Sequence, residues 1–306
     1  MSTRPLANLS ASVHHRLLNK AQDAGRPFNE MLQYYAMERF LYRLSRSPAG
    51  DRFVLKGALM LMVWRAATMR STMDIDLLGR TANDLESIRE VMQAACNQAV
   101  EPDGMIFDPD SVTGERISED AEYEGIRVHL RGNLGSARVN LQIDIGFGDV
   151  VSPEARVIEY PSLLDHPKPR MRGYSRESVI AEKLHAMIRH DLLNSRMKDF
   201  YDIWLLSRQF DFDGISLADA IRKTFARRDT DLVGRPIVAF TEAFYRDPAK
   251  TTLWLSFVRK FRLEPAPPSF EEVVLAVSTF LQPIIDTLVR ERSPNIQWKA
   301  GGPWTS

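Results

Sequence analysis

Two aspartates spaced two apart in an apolar run, Asp74-Ile75-Asp76-Leu77-Leu78, constrain this 306-residue chain more than any other feature. In a strand, residues two apart share a face, so both carboxylates project together. They repel each other unless a cation lies between them. A hard divalent ion such as Mg²⁺, which takes oxygen ligands, meets that need, although such pairs are also commonly solvated or engaged in capping. Ile75, Leu77 and Leu78 read as buried, which places the acids on a firm strand. Upstream, Phe53–Lys56 reads as a strand, Gly57 as a tight turn, and the residues after it as an apolar helix. A helix N-terminus is a natural place for phosphate, and Lys56 stands beside it. Downstream, Asp144 lies in the run NLQIDIGFG between Ile143 and Ile145. A charge inside so apolar a strand is rarely there for packing.

The rest of the chain supplies a frame around this stretch. Residues 10–24 read as a helix ended by Gly25, and Pro27 suits the start of the next. In that second helix Tyr34, Met37, Phe40, Leu41 and Leu44 recur at helical spacing. Met31, Leu32 and Tyr35 lie off the stripe, so burial on more than one side is expected. Residues 84–100 read as a helix that Asn83 or Asp84 could cap. Four runs then alternate or stay apolar between Gly-rich turns: VTGERI, YEGIRVHLRGNL, ARVNLQIDIGFG and RVIEY. From Pro161 strand signals stop, and helices are expected at about 176–193, 198–209, 217–226, 252–260 and 270–291. The tail from Ser293 reads as loosely held. This order predicts an α/β (α+β) chain: a small mixed sheet with flanking helices over residues 1–165, then a helical domain over 166–306.

Motifs along this frame resemble a known family. Lys56-Gly57-Ala58 followed by Arg70-Ser71-Thr72-Met73-Asp74-Ile75-Asp76 is similar to the first motif of the AbiEii/MenT nucleotidyltransferase toxins. These belong to the polymerase-β-like nucleotidyltransferase superfamily, marked by a helix-opening Gly-[Gly/Ser] and a following Asp-x-[Asp/Glu]. AEKLHA (Ala181–Ala186) and SRMKDFYDIW (Ser195–Trp204) resemble the later family motifs, so the likeness runs from about residue 26 to 212. It departs at Ala58, where the superfamily has Gly or Ser, which removes a hydroxyl that could touch phosphate.

The resemblance implies a Mg²⁺-dependent transfer of a nucleoside monophosphate from an NTP to the acceptor end of tRNA, blocking translation. It also implies a cognate antitoxin and a role in phage defence. Two metal ions about 3.5–4 Å apart would clamp the attacking and leaving oxygens. Asp74 and Asp76 would hold the nucleotide-bound metal. Asp144 would complete the second metal site and help deprotonate the acceptor; its alternative is a salt bridge to an arginine such as Arg138. Lys183 would contact the triphosphate, its alternative being a side chain that snorkels from an apolar helix. Lys56, Gly57, Arg70 and Arg196 are further nucleotide-binding candidates, and Lys56 could equally face water. Asp199 and Asp202 lie in the first turns of a helix, which its dipole favours anyway. In the family an acid of this motif is needed, with the expected role of holding Lys183 or Arg196.

Other signals set limits. Lysine plus arginine equal aspartate plus glutamate at 40 each, so RNA binding has to use local clusters. Candidates are Lys168, Arg170, Arg172 and Arg176; Arg189 and Arg196; and Arg222, Lys223, Arg227 and Arg228. Each could also be a solvated face. The single Cys96 cannot form an internal disulfide. No apolar signal core and no run of about 20 apolar residues stand out, which places the chain in the cytoplasm with no membrane partner. His185 and His190 are five apart and lack the spacing of a helical zinc pair. No Walker loop, Gly-x-Ser-x-Gly or Gly-x-Gly-x-x-Gly is present. Two other functions share these residues: transfer of the nucleotide to a protein hydroxyl, and a non-catalytic nucleotide- or RNA-binding regulator.

Overall fold

The computed structural model describes residues 6–66, 71–120, 123–232, 236–263 and 267–306. The chain divides into two compact units. The first comprises Met1–Val63, Thr72–Gly148 and Arg156–Gly173; the second comprises Trp64–Ser71, Asp149–Ala155 and Tyr174–Ser306.

The first unit is a mixed sheet with helices. Its elements are α1 (Leu6–Asp23), α2 (Phe28–Arg46), β1 (Phe53–Lys56), α3 (Leu59–Val63), β2 (Asp74–Gly79), α4 (Leu85–Cys96), β3 (Met105–Asp120), β4 (Tyr123–Leu134), β5 (Ala137–Phe147), β6 (Arg156–Glu159) and β7 (Arg170–Gly173). The sheet order is β3-β4-β5-β2-β1-β7-β6. Strands β2 and β5 run parallel, as do β1 and β7; the remaining neighbours are antiparallel. In-register rows make one face apolar: Leu55, Leu77, Ile145 and Ile126 form one row, and Ile75, Ile143 and Val128 another. All seven are fully buried. That burial, at about 1.5–3 kcal/mol per large aliphatic side chain, fixes the register, because a slip of one residue would turn these side chains to the other face.

Helix α2 is buried on several sides, as its off-stripe residues imply, and it carries charges inward. Arg43 holds Asp103 bidentately at 2.7 and 3.0 Å, and Glu38 pairs with Arg39. Asp84 caps α4 by accepting from the Ser87 backbone N–H at 2.8 Å. Burial pushes the Cys96 thiol up to about 12, which makes it a packing group rather than a nucleophile.

Strand β7 departs from the sequence expectation. It lies in a stretch read as a strandless connection, yet it pairs with both β1 and β6. Its sequence, Arg-Met-Arg-Gly, is four residues long with only Met171 as an apolar marker, too little for a periodic signal. Helix α3 is also shorter than the apolar run suggests, at five residues. A helix of that length carries little cooperative stability of its own.

The second unit is mostly helical: α5 (Arg176–His190), α6 (Met197–Gln209), α7 (Gly214–Arg227), α8 (Glu242–Tyr245), α9 (Pro248–Phe261) and α10 (Phe270–Val289). A small antiparallel sheet joins β8 (Phe212–Asp213), β9 (Gln297–Trp298) and β10 (Trp304–Thr305). The tail is therefore held, contrary to expectation. The Trp298 indole N–H donates to the Ser207 carbonyl at 2.6 Å, and the Trp304 indole N–H donates to the Phe280 carbonyl at 2.8 Å. Both rings pack on Phe280, at 4.9 and 5.6 Å. Two aromatic residues suffice to anchor a segment otherwise rich in Gly and polar residues, because each removes a large apolar area from water. Helix α10, opened by a Ser269–Glu272 capping box, is among the described residues the one helix long and apolar enough to cross a membrane. One of its faces, including Val273, Val277, Phe280 and Ile284, is fully buried in its unit, as a core helix requires.

Candidate active site

The polar face of the sheet opposite the aliphatic rows carries a charged line. Reading the register across five strands, Glu115 (β3), Arg127 (β4), Asp144 (β5), Asp76 (β2) and Lys56 (β1) stand directly opposite one another in sequence of strands. One step along, Thr113, His129, Gln142 and Asp74 form the adjacent row. Partners in register put their side chains on the same face. Asp74, Asp76 and Asp144 are therefore carried on one surface, two from a single strand and the third from its parallel neighbour.

Asp76 lies over the Gly57 turn. Gly57 has φ +69°, and a Cβ added there would overlap the Asp76 carboxylate. The turn needs glycine twice over: for the left-handed backbone and for the approach of Asp76. Lys56, just before the turn, is opposite Asp76 in the register. The start of β2 is held from α2. The Thr72 backbone N–H donates to the Tyr34 hydroxyl at 3.1 Å, and the Gln33 amide donates to the carbonyls of Met73 and Asn140 at 2.9 and 3.1 Å.

Asp144 is engaged. Arg127 Nε donates to its Oδ1 at 2.8 Å and Nη2 to its Oδ2 at 2.7 Å, with the Gln142 amide at 3.2 and 3.3 Å. The hydrogen bonds from Arg127 to Asp144 hold the guanidinium firmly charged against the cost of burial, with Asp74 and Glu115 adding to the effect. The salt-bridge alternative for Asp144 is thus the observed one, with Arg127 in place of Arg138. Among the described residues no group of three His, Cys, Asp or Glu side chains is arranged to hold a metal ion, and both Asp144 oxygens face the Arg127 guanidinium. Arg127 escaped the sequence reading because only the β4–β5 register brings it to Asp144. Arg70 lies outside the described residues.

Asp74 and Asp76 form a donor pair of the kind that suits Mg²⁺. That ion is usually held by one or two carboxylates together with substrate phosphates and water, rather than by an all-protein cage.

The second unit holds a buried charge cluster. Lys183 Nζ of α5 lies 2.7 Å from Asp199 Oδ1 and 2.9 Å from Asp202 Oδ2, both on α6. Arg196 Nε donates to the other Asp199 oxygen at 2.7 Å. Both aspartates are almost fully buried. Burial alone would push the Asp199 carboxyl up; Lys183 and Arg196 outweigh it and hold the group well below the usual carboxylate range. Asp199 and Asp202 share a helix face, as their spacing of three implies. Asp199 contacts Lys183 and Arg196 together, and Asp202 contacts Lys183.

Several basic candidates serve inside the second unit. Lys223 pairs with Asp219 at 2.6 Å, Arg228 with Asp149 at 3.0 Å, and the Arg176 guanidinium stacks 4.3 Å from the Phe210 ring centre. In the first unit Lys168 and Arg170 lie 4.0 and 3.8 Å from Glu159. Together with Arg46 and Arg172 they line a groove of about 480 Å³.

Comparison with known proteins adds to this geometry. The family model described as "Nucleotidyl transferase AbiEii toxin, Type IV TA system" matches residues 39–276. The chain is similar to JHP933 from Helicobacter pylori at 18% identity, over 86% of this chain and 94% of that one, with a TM-score of 0.48. It is similar to a candidate nucleotidyltransferase from the same organism at 16% identity, over 86% and 97% of the chains, with a TM-score of 0.48. No curated protein matches the chain.

Proposed function

The chain belongs to the AbiEii nucleotidyltransferase toxin family of type IV toxin–antitoxin systems, and we propose that it transfers a nucleoside monophosphate from an NTP to the 3′ end of tRNA. The protein is a nucleotidyltransferase, and its family implies a nucleotide substrate and an antitoxin partner. The observation that carries the catalytic reading is the placement of Asp74 and Asp76 on one sheet face, with Asp76 seated over Gly57.

In such a transfer the acceptor hydroxyl bonds to the α-phosphorus, the bond to the bridging oxygen breaks, and pyrophosphate leaves. Asp74 and Asp76 would hold Mg²⁺, which when bound neutralises phosphate charge and polarises the reacting phosphoryl group. Gly57 keeps the Asp76 carboxylate in place by offering no side chain against it. Lys56, opposite Asp76, balances the paired acids. Lys183 and Arg196 are assigned to nucleotide phosphate charge, with Asp199 and Asp202 fixing their positions. The Lys183–Arg196–Asp199–Asp202 cluster is formally neutral, so its contribution is placement rather than long-range attraction.

An RNA acceptor is supported by the groove lined by Arg46, Lys168, Arg170 and Arg172 against Asp51 and Glu159. It carries net positive charge on a chain with none overall, which suits a phosphate backbone. The test is incubation with tRNA and each labelled NTP, wild type beside Asp74→Ala and Lys183→Ala. Label should enter tRNA with wild type alone. Label confined to protein would favour a protein hydroxyl as acceptor, and label in tRNA with Asp74→Ala would reject the assignment.

A further inference from the structure

We propose that Arg127 stands in place of a second metal ion, so that this enzyme works with one divalent cation, at Asp74 and Asp76, and keeps Asp144 as the partner of Arg127. The inference rests on the metal-binding reading of Asp74 and Asp76 given above. Its ground is the row Arg127–Asp144–Asp76, in which each residue stands directly opposite the next on adjacent strands. A second metal would have to take Asp144 as a ligand. Both Asp144 oxygens are already bonded by the two prongs of one guanidinium, at 2.7 and 2.8 Å, and both accept weakly from Gln142.

That arrangement resists displacement for three reasons. Bidentate charge-assisted bonds between guanidinium and carboxylate are among the strongest and most directional in proteins. Both residues lie mid-strand in register, so their closeness is built into the sheet and needs no loop to order. An incoming Mg²⁺ would have to shed water, which it does reluctantly, and would then sit against a fixed positive charge.

Arg127 also supplies what a second ion would otherwise provide. Its guanidinium is permanently charged, lies between Asp144 and Glu115 in the row, and is close enough to Asp74 to feel its charge. It is about one-third exposed, whereas Asp144 is 19% exposed, so the cation is the more accessible member of the pair. Arg127 is thus a positioning residue: it fixes Asp144 and balances the acids of the neighbouring rows.

Manganese provides the test, since bound Mn²⁺ is visible by electron paramagnetic resonance. Two ions about 3.5–4 Å apart give a spin-coupled spectrum, and a single ion gives an uncoupled one. Wild-type protein saturated with Mn²⁺ and a non-hydrolysable analogue of each NTP should show one bound ion and no coupling. Arg127→Gln should bind a second ion and show coupling. The double variant Arg127→Gln/Asp144→Asn should return to one. A coupled pair in wild type, or a folded Arg127→Gln that still binds one, would overturn the inference. Asp144→Asn alone supplies a second check that spares Arg127: its Mn²⁺ affinity should match wild type. A loss of about tenfold or more, the size seen when a metal's supporting group is removed, would place Asp144 in the metal site. Absence of any bound Mn²⁺ in wild type would instead reject the reading of Asp74 and Asp76, and the inference with it.

Discussion

The Asp76 carboxylate fills the space in which a side chain on Gly57 would begin. The turn and the acid are therefore coupled, although they stand 19 positions apart in sequence. Gly57→Ala should lose nucleotide incorporation and cost stability, because a positive φ strains any β-carbon, by about 1–3 kcal/mol, and the new methyl displaces Asp76. In an Asp76→Ala background the same change should cost less, since only the backbone strain remains. Chemical denaturation of the four proteins gives the coupling directly; additive costs would show that the two residues do not share that space.

Asp74 and Asp76 are partly exposed on the sheet face, so their removal should leave the fold intact. Asp74→Ala and Asp76→Ala are each expected to abolish incorporation while thermal unfolding stays within a few degrees of wild type, as surface changes of about 0.5 kcal/mol imply. Collapse of the fold in either variant would mean that the pair is structural.

The Lys183–Asp199 contact carries a stability prediction. Asp199→Asn takes the buried carboxylate from Arg196 and leaves Lys183 with Asp202 alone, and breaking such a buried pair from one side costs about 3–5 kcal/mol. The pH dependence follows from the lowered carboxyl of Asp199. A group whose pKa falls on folding stabilises the native state fully above its unfolded value, near pH 4, and loses that contribution as the pH drops toward the lower native value. Wild type should therefore lose stability with acid below about pH 4, more steeply than Asp199→Asn. Equal slopes in denaturation series would assign the acid sensitivity to other carboxylates.

The basic groove should reveal itself through salt. Lys168→Glu with Arg170→Glu is expected to weaken tRNA binding and to flatten its salt dependence, by about 0.7–0.9 in logarithmic slope per lost phosphate contact. Both side chains are more than half exposed, so the fold should be spared. An unchanged slope would place RNA elsewhere on the surface.

Much of this arrangement was legible in the sequence. The acids of β2 and β5 stand out because each interrupts an aliphatic run, and the helix expected at about 198–209 matches α6 to within a residue. Strand β7 was not legible, since Arg-Met-Arg-Gly is a strand only because β1 and β6 lie on either side. Nor was the anchored tail, whose order comes from Trp298 and Trp304 meeting Phe280. Arg127 illustrates the general limit. Nothing local distinguishes it from Arg131, four residues on, which meets Asp108 at the surface; only the long-range register separates the two. The partner of Asp144 was hidden for the same reason, because it is set by strand pairing rather than by spacing.

The Gln33 amide reaches one carbonyl ahead of Asp74 and one within β5, so a single side chain from α2 spans two parallel strands at their mouths. That makes the front of α2 a tiller for the acidic face. A change at that one buried amide would be felt at both acid-bearing strands at once.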